Sequence, residues 1–231
     1  MDAFPAALPH GPLTEAFPDV HVVTGTFRMG PGLVITRNMT VVRQGGELIL
    51  INSVRLDEAG ERALEALGKP THLLRIGAFH GADDAYFAQR WGMTVWAPPG
   101  TEHGRGLTTK HELVAGSSPI EGARVFPFAH AKKPEVALVL ANGVLVTCDS
   151  YQNWTTFEGC SLIGKGVAWA MGFGPTVIGG PWTKAMGTEV RRDFDALLDE
   201  PFVHLSSAHG TVLRDEAKAG LRNAVAARFG G

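Results

Sequence analysis

Four residues of types that bind transition metals each follow a short apolar segment that predicts a β-strand. His80 follows HLLRIGAF, His130 follows VFPFA, Asp149 follows VLVTC, and His209 follows VHLSSA. Sites in layered α/β proteins form at strand ends, because the sheet fixes the backbone and the next loop supplies exposed groups. Imidazole nitrogens and a carboxylate brought together there suit zinc, iron or manganese. A single histidine is more often structural, so the recurrence of the pattern is what predicts a metal site.

The elements that must position these residues fall into two successive halves, each with strands before a helix. In the first half, residues 21–51 alternate β-rich pieces with turn signals, which predicts an antiparallel meander. A helix capped by Asp57 and ended by Gly68 follows, then a strand at HLLRI, a helix at about 84–91 and a strand at TVWA. The chain therefore changes from hairpins to a strand, helix, strand order.

The second half follows the same plan. The segments VALVL and VLVT are joined by Asn142 and Gly143, the best two-residue hairpin turn available. Helices are expected at about 189–198 and 215–229, while the pattern of residues 151–187 favours no single element. Residues 1–20 carry four prolines and predict an irregular arm, so we expect one domain at 21–231.

At this point the order of residues resembles that of the metallo-β-lactamase superfamily. FAHAKKPEVALVLANGVLVTCD is similar to its lone third histidine, hairpin and strand-ending aspartate, and SSAHGTVLRDEAKAGLRNAV is similar to its closing His-Gly and last helix. The resemblance covers most of the chain from about Arg37 onward. It implies the α+β class and a four-layer αββα sandwich, with a site at the edge of the two sheets.

The opening loop departs from the H-x-H-x-D-H pattern of that superfamily. In RIGAFHGADDAYF, if His80 is the second histidine, Ala78 replaces the first and Ala82 replaces the aspartate. Asp83 then stands where the final histidine would be. In the other frame His80 is the first histidine and Asp84 is the motif aspartate. Distance from the strand favours the first frame, and both frames lack two ligands, which limits the expectation to one full metal site.

The resemblance implies roles for the four strand-end residues. His80, His130 and Asp149 would bind one zinc, iron or manganese ion, with His209 as a fourth ligand or as a donor to the transition state. A site with two such losses can also hold no metal at all. The expected cofactor is therefore one transition-metal ion or none.

Two functional hypotheses follow from the same resemblance. The first is a metal-dependent hydrolase of a small ester, thioester, amide or phosphoester, in which a metal-bound hydroxide attacks and Asp83 or Asp84 orients the water. The second is a non-catalytic binding or scaffold protein on the same fold with a degenerate, metal-free site, motivated by Ala78 and Ala82. A fold does not by itself specify a reaction, so both hypotheses need a direct test.

Composition narrows the partners of the protein. The chain has 231 residues, 45% of them hydrophobic, and a net charge of -2, which gives no long-range attraction to nucleic acid or anionic lipid. No apolar stretch approaches the roughly 20 residues that span a bilayer, and no leader pattern opens the chain. We therefore expect a cytoplasmic protein with a small-molecule substrate. In the resembling fold, the region matching 151–187 shapes the pocket or joins subunits, so a homodimer is one expected assembly.

Two further features of the sequence favour structural roles. GCSLIGKG nearly spells a phosphate-binding loop, but Gly166 occupies the position of the magnesium-binding hydroxyl, and no apolar strand precedes the segment. We therefore expect a loop or a helix start there. Cys148 and Cys160 are two thiols in a chain of this size, and we expect both to be free and buried.

Overall fold

The computed structural model of the chain describes residues 4–230, which form two β-sheets flanked by helices. The strands are β1 Thr14–Phe17, β2 Val20–Gly30, β3 Leu33–Gln44, β4 Glu47–Ile51, β5 Lys69–Leu74, β6 Thr94–Ala97, β7 His111–Glu112, β8 Arg124–Pro127, β9 Val136–Val139, β10 Val144–Thr147 and β11 His204–Ser207. The helices are α1 Glu58–Leu67, α2 Asp84–Trp91, α3 Leu162–Ala170, α4 Gly180–Met186, α5 Arg191–Leu197 and α6 Ala217–Phe229, with a 3-10 turn at Thr188–Val190.

The first sheet contains β1 to β7 in chain order. Its first four strands are antiparallel, as the hairpin signals predict, and one long strand, β3, spans both β-rich pieces that precede Gly45. From β4 onward the strands are parallel, because α1 and α2 carry the chain back across the sheet between them. The carboxyl end of β5 therefore opens into the loop that carries His80.

The second sheet has the order β11, β10, β9, β8. Asn142 and Gly143 connect β9 to β10 in the predicted hairpin, and Gly143 takes a φ of 80°, the left-handed conformation that such a turn requires. Strand β11 returns parallel to β10, with Thr147 paired to Ser207 at the end of the ladder. The polar residues that follow these two strands consequently emerge side by side.

The alternating direction of side chains along the strands explains how the sheets and helices form layers. In β4, Leu48 and Leu50 pack toward α1 and α2, whereas Ile49 and Ile51 pack between the two sheets. Val139 and Leu145 of the second sheet pack outward against the cluster that contains residues of α4, α5 and α6. Strands that are buried on both faces require nearly continuous apolar runs, which is what ELILI and VALVL supply. This arrangement is the expected αββα sandwich of the α+β class.

Local signals place the helix ends. The Asp57 side chain accepts a hydrogen bond from the Gly60 N–H and caps α1, and the Gly68 N–H donates to the Leu64 carbonyl oxygen at its end. Gly92 ends α2 with a φ of 63°. The GCSLIGKG segment contains the start of α3, whose cap is Ser161. No helix in the range 4–230 is long and apolar enough to cross a membrane.

The N-terminal segment differs from the expected irregular arm. Thr14–Phe17 forms β1 against β2, and His10 makes an isolated bridge with Gly25. The His10 Nε2 also accepts a hydrogen bond from the Asp57 N–H at the start of α1. Prolines before residue 13 do not prevent this pairing, because they precede the strand rather than interrupt it. The part of 1–20 that precedes residue 4 lies outside the described residues.

Candidate metal centre

Three of the four strand-end residues meet at one edge of the two sheets. The Nε2 atom of His80 lies 3.4 Å from Oδ2 of Asp149, and the Nε2 atom of His209 lies 3.1 Å from Oδ1 of the same carboxylate. The two Nε2 atoms are 3.2 Å apart. Among residues 4–230 this is the one group of three or more histidine, cysteine or acidic side chains whose donor atoms are close enough to hold a metal ion.

The second sheet supplies two of these residues through its parallel strand pair. The β10–β11 ladder ends with Thr147 opposite Ser207, and Asp149 and His209 each stand two residues beyond that pair. Parallel neighbours that end in register place the residues following them next to each other. This explains why the carboxylate and one imidazole lie in contact without any local motif to indicate it.

The first sheet supplies His80 from the loop after β5. Arg75 holds this loop, because its buried guanidinium donates to the carbonyl oxygens of Gly77, Ala78 and Glu102. Gly77 also forms an isolated bridge with Glu135, at the start of β9 in the other sheet. The loop is therefore tied both to its own sheet and to the opposite one, which fixes His80 over the end of β10.

A hydrogen bond determines which ring nitrogen of His209 carries the hydrogen. The Nδ1 of His209 lies 2.8 Å from the Thr36 carbonyl oxygen, which can only accept, so Nδ1 carries the hydrogen and a neutral ring presents its Nε2 lone pair to the cluster. Trp154 stacks on the same ring at a centroid distance of 5.6 Å. The Nδ1 of His80 is buried and has no partner among the described residues.

Burial and charge favour a ligand set that is ready to bind a cation. Burial lowers the pKa of His80, although Asp149 opposes this effect, and it keeps the imidazole in the neutral form that a metal needs. Burial raises the pKa of Asp149, but His80 and His209 outweigh it and hold that pKa well below its usual range. At neutral pH the cluster therefore combines one carboxylate with a neutral His80.

The spacing of the donor atoms fits a tetrahedral metal. Zinc ligands at about 2.0–2.2 Å place neighbouring donors about 3.3–3.6 Å apart in a tetrahedral site. The three separations of 3.1, 3.2 and 3.4 Å are near that range. These separations, and the burial of the two imidazoles, indicate that His80, Asp149 and His209 can hold one zinc, iron or manganese ion.

Comparison with solved structures identifies the architecture. The metallo-β-lactamase of Pseudomonas aeruginosa in a mono-zinc form matches with a TM-score of 0.69 at 13% identity, over 98% of this chain and 99% of that one. A metallo-β-lactamase of Erythrobacter litoralis matches with a TM-score of 0.58 at 11% identity, over 92% and 91%. One of Hirschia baltica matches with a TM-score of 0.60 at 15% identity, over 93% and 98%.

The chain has the metallo-β-lactamase fold. No family model matches the sequence, and no curated protein matches it. Identities of 11–15% are too low to carry an activity from these proteins to this one. The chemistry of this protein therefore depends on the residues that its own chain brings together on the metallo-β-lactamase fold.

His130 does not join the cluster, contrary to the role that the resemblance implied. Its Nδ1 lies 2.7 Å from Oδ1 of Asp193, and its backbone N–H donates to Oδ2 of the same carboxylate at 3.0 Å. Asp193 is buried on α5 and draws the loop toward the outer helices. The histidine side chain is 40% exposed, whereas those of His80 and His209 are 5% and 9% exposed.

Asp83 and Asp84 also lie away from the metal-binding group. Asp83 forms an ion pair with Arg37 and accepts the Arg55 N–H at 2.7 Å. Asp84 is buried and accepts a hydrogen bond from the Ser53 hydroxyl at 2.6 Å, and burial raises its pKa. Neither residue lines the cavity above the cluster. Their contacts indicate that they position the loop and Arg37 rather than orient a water molecule.

Sequence reasoning missed two ionisable residues of the site. Arg37, on β3, lines the cavity beside the cluster, and its charge is one of those that lower the pKa of His80. Glu135 is buried, and its carboxyl oxygens accept hydrogen bonds from the Ser150 N–H and the Trp182 indole N–H. Burial, reinforced by Asp149, raises the pKa of Glu135 to about 8. Neither residue follows a strand end, so the strand-end pattern does not indicate either of them.

A cavity of about 400 Å³ opens directly above the cluster. Small-molecule sites usually have volumes of about 300–1,000 Å³. The residues that line the cavity are Phe27, Met29, Leu33, Ile35, Arg37, Phe79, His80, Ala82, Asp149, Gln152, Trp154, Val167, Ala168, Met171, Phe173, Gly179, Pro181, Trp182, Ala185 and His209. Apart from Asp149 and His209, which follow β10 and β11, they come from the β2–β3 hairpin, the His80 loop and the segment 151–187, which therefore shapes the pocket.

A second depression of about 1200 Å³ lies over α2 and β6, but it offers little chemistry. Its lining residues include no histidine, cysteine or acidic side chain. The two cysteines are also poor candidates for reaction. Both are free and buried, and burial, reinforced by Asp149, raises the pKa of the Cys148 thiol well above its usual value. The cluster beneath the 400 Å³ cavity is therefore the strongest candidate site in the described chain.

Proposed function

We propose that the protein is a metal-dependent hydrolase that uses a single metal ion and acts on a small ester, thioester, amide or phosphoester. The observation that carries this proposal is the meeting of His80, Asp149 and His209 at the floor of an open cavity. A site with three protein ligands leaves coordination room that the protein does not fill, which distinguishes catalytic from structural metal sites. The metal would be zinc, iron or manganese.

Individual residues of the chain would have different roles in such a site. A divalent metal held there would lower the pKa of a bound water toward neutrality, which is the chemistry that hydrolysis needs. Asp149 supplies the negative charge, and the hydrogen bond from His209 to the Thr36 carbonyl oxygen keeps its Nε2 lone pair directed at the cluster. Trp154 covers the His209 ring and limits the access of solvent to it.

Arg37 supports a single ion rather than two. Its side chain is 8% exposed, and its guanidinium forms an ion pair with Asp83 at the edge of the cavity. A fixed positive charge beside His80 disfavours a second cation, because the two charges would repel each other in a poorly solvated site. The loss of ligands at Ala78 and Ala82 favours the same conclusion.

Metal analysis of protein purified without a chelator tests the proposal. We expect about one equivalent of zinc, iron or manganese for the wild type, and less than about a tenth of an equivalent for Asp149→Asn. His130→Ala is the matched control, because its side chain bonds to Asp193 outside the cluster, and it should keep the metal. A metal-free wild type that takes up none of the three ions on addition would rule the proposal out.

A non-catalytic binding protein is the second candidate, and the alanines at 78 and 82 favour it. The two candidates differ in turnover once the metal content is known. The metal-loaded protein is assayed against a panel of activated esters, thioesters, amides and phosphoesters, with Asp149→Asn as the control. Hydrolysis that disappears in the variant supports the hydrolase. Full metal occupancy without turnover of any member of the panel supports the binding protein.

Location and assembly are further proposals. We place the protein in the cytoplasm, since two free thiols that are both buried suit a reducing compartment. We take its binding partner to be a small molecule. A homodimer is one expected assembly, and sedimentation measurements test it. Cell fractionation checks the location.

A further inference from the structure

The cavity above the cluster is apolar over most of its surface. Eleven of its lining residues have large hydrophobic or aromatic side chains, among them Phe27, Ile35, Val167, Phe173 and Trp182. Polar lining groups are confined to the cluster itself, to Arg37 and to Gln152. A ligand that fills the cavity therefore meets polar chemistry at one end only.

The two indole N–H groups in the lining are already bound to the protein. Trp154 donates to the side-chain oxygen of Gln152 at 2.6 Å, and Trp182 donates to Glu135 at 2.7 Å. The amide nitrogen of Gln152 donates to the Asp149 carbonyl oxygen. These groups are satisfied within the fold, so both tryptophans offer apolar ring surface to the cavity rather than a hydrogen bond.

The apolar surface continues to the outside of the molecule. Met29 is 60% exposed, Phe79 is 50% exposed and Met171 is 47% exposed, and all three also line the cavity. Exposed apolar side chains that are contiguous with a pocket mark a binding surface more often than isolated ones do. The mouth therefore admits a chain that extends beyond the cavity without meeting a charge on these three residues.

We infer that the site takes a substrate with a long aliphatic or aromatic group, which lies in the apolar cavity while the hydrolysable bond lies at the cluster. This inference rests on the proposed function for the bond that is cleaved. The binding of the apolar group does not depend on the proposed function. Transfer of apolar surface out of water supplies the affinity, and the cluster supplies the orientation.

Binding of non-hydrolysable probes tests the inference separately from any reaction. Calorimetric titration of chelator-treated protein with a series of n-alkyl methyl ketones, from the propyl to the nonyl member, measures Kd against chain length. Each added methylene should lower Kd about threefold to fourfold until the cavity is filled. A Kd that does not change along the series overturns the inference.

Two pairs of variants show where the probes bind. Val167→Trp narrows the cavity and should weaken binding of the heptyl ketone at least tenfold, whereas Ala170→Trp, an exposed position on the same helix outside the lining, should leave it unchanged. Met171→Ser should weaken binding severalfold, and Leu162→Ser, which is 87% exposed and outside the lining, should not. Met171 is near the surface, so this pair remains informative if Val167→Trp fails to fold. Equal effects within both pairs overturn the inference.

Turnover distinguishes failure of the inference from failure of the proposed function. Esters with acyl chains of increasing length are assayed with the metal-loaded protein. A KM that falls with acyl length supports both the reaction and the inference. Ketone binding without hydrolysis of any ester, thioester, amide or phosphoester in the panel removes the proposed reaction and keeps the inference. Hydrolysis with a KM independent of acyl length removes the inference and keeps the reaction.

Discussion

His209 is restrained at one ring nitrogen and on one face of its ring. Its Nδ1 donates to the Thr36 carbonyl oxygen, and Trp154 stacks on the ring, so that Nε2 faces the Asp149 carboxylate at 3.1 Å. A fixed tautomer of this kind raises the affinity of a metal site, because the ring need not reorient on binding. At the scale of single residues, the proposed metal binding depends on the carboxylate between two imidazoles.

Glu135 leads to a prediction about pH at the same scale. The pKa of this carboxyl is raised to about 8 by burial, whereas in the unfolded chain it is near 4.5. Between these values the folded state keeps a proton that the unfolded state has lost, so the free energy of unfolding falls as pH rises. In metal-free protein, wild type should lose on the order of 4 kcal/mol relative to Glu135→Gln between pH 4.5 and 8.

Urea unfolding of both proteins across this pH range measures the effect. Glu135→Gln removes the titrating group but keeps a side chain of the same shape. Because an amide replaces the carboxyl group, the absolute stability of the variant will differ from that of the wild type at every pH. The prediction concerns only the change in the difference with pH. Unfolding free energies that run parallel from pH 4.5 to 8 would contradict the raised pKa.

Helix α3 shows how an element shapes the cavity. Its cap, Ser161, accepts from the Gly164 N–H within the helix and from the Val34 N–H of β3, and it donates to the Gly32 carbonyl oxygen. A Cβ atom at Gly164 would lie 2.1 Å from the Val34 carbonyl oxygen. The helix can therefore lie against β3 only with a glycine at this position, and this contact places Val167 and Ala168 in the cavity wall.

Gly164→Ala should destabilise the protein by about 1–3 kcal/mol, because the backbone of α3 must move away from β3. Gly166→Ala, two residues further along the same helix, is the matched control, since a Cβ atom there meets nothing within 4 Å. The control should gain about 0.5–1 kcal/mol from its better helix propensity. Chemical unfolding of both variants measures the two effects, and equal changes of the same sign would be inconsistent with the packing described.

The whole molecule connects its two sheets through the site. His80 comes from the loop of the first sheet, while Asp149 and His209 follow strands of the second. A metal bound by all three would link the edges of both sheets, and it would bind the folded state alone because the unfolded chain does not bring these residues together. Binding of this kind stabilises a protein by an amount that grows with the logarithm of the free ligand concentration above Kd.

Added metal should therefore raise the thermal unfolding temperature. At a free zinc concentration of about 100 times Kd, the stabilisation is about 2.7 kcal/mol, which corresponds to roughly 5–10 °C for a domain of this size. Differential scanning fluorimetry of chelator-treated protein with and without zinc measures the shift. Asp149→Asn should show none, and a shift of the same size in this variant would place the metal elsewhere.

The strand-end pattern predicted His80, Asp149 and His209 because it depends on local information. Apolar runs of the right length set the strands, and strands that end in register bring the next residues together. The same pattern applied to His130 led to the wrong neighbour. That histidine bonds through its side chain and its backbone N–H to Asp193, a residue 63 positions later in the chain, which no local pattern indicates.

The sequence by itself determined most of the strands and the helices α1, α2, α5 and α6, since periodicity, caps and turns act over a few residues. Its resemblance to the metallo-β-lactamase superfamily implied the αββα sandwich, and the strand-end pattern indicated His80, Asp149 and His209. Only the tertiary structure decided which charged residues meet. It paired Asp83 with Arg37 on β3, buried Glu135 against Trp182, and closed an apolar cavity with the segment 151–187. These contacts join residues more than 40 positions apart, so packing of whole elements brings them together and no local pattern encodes them.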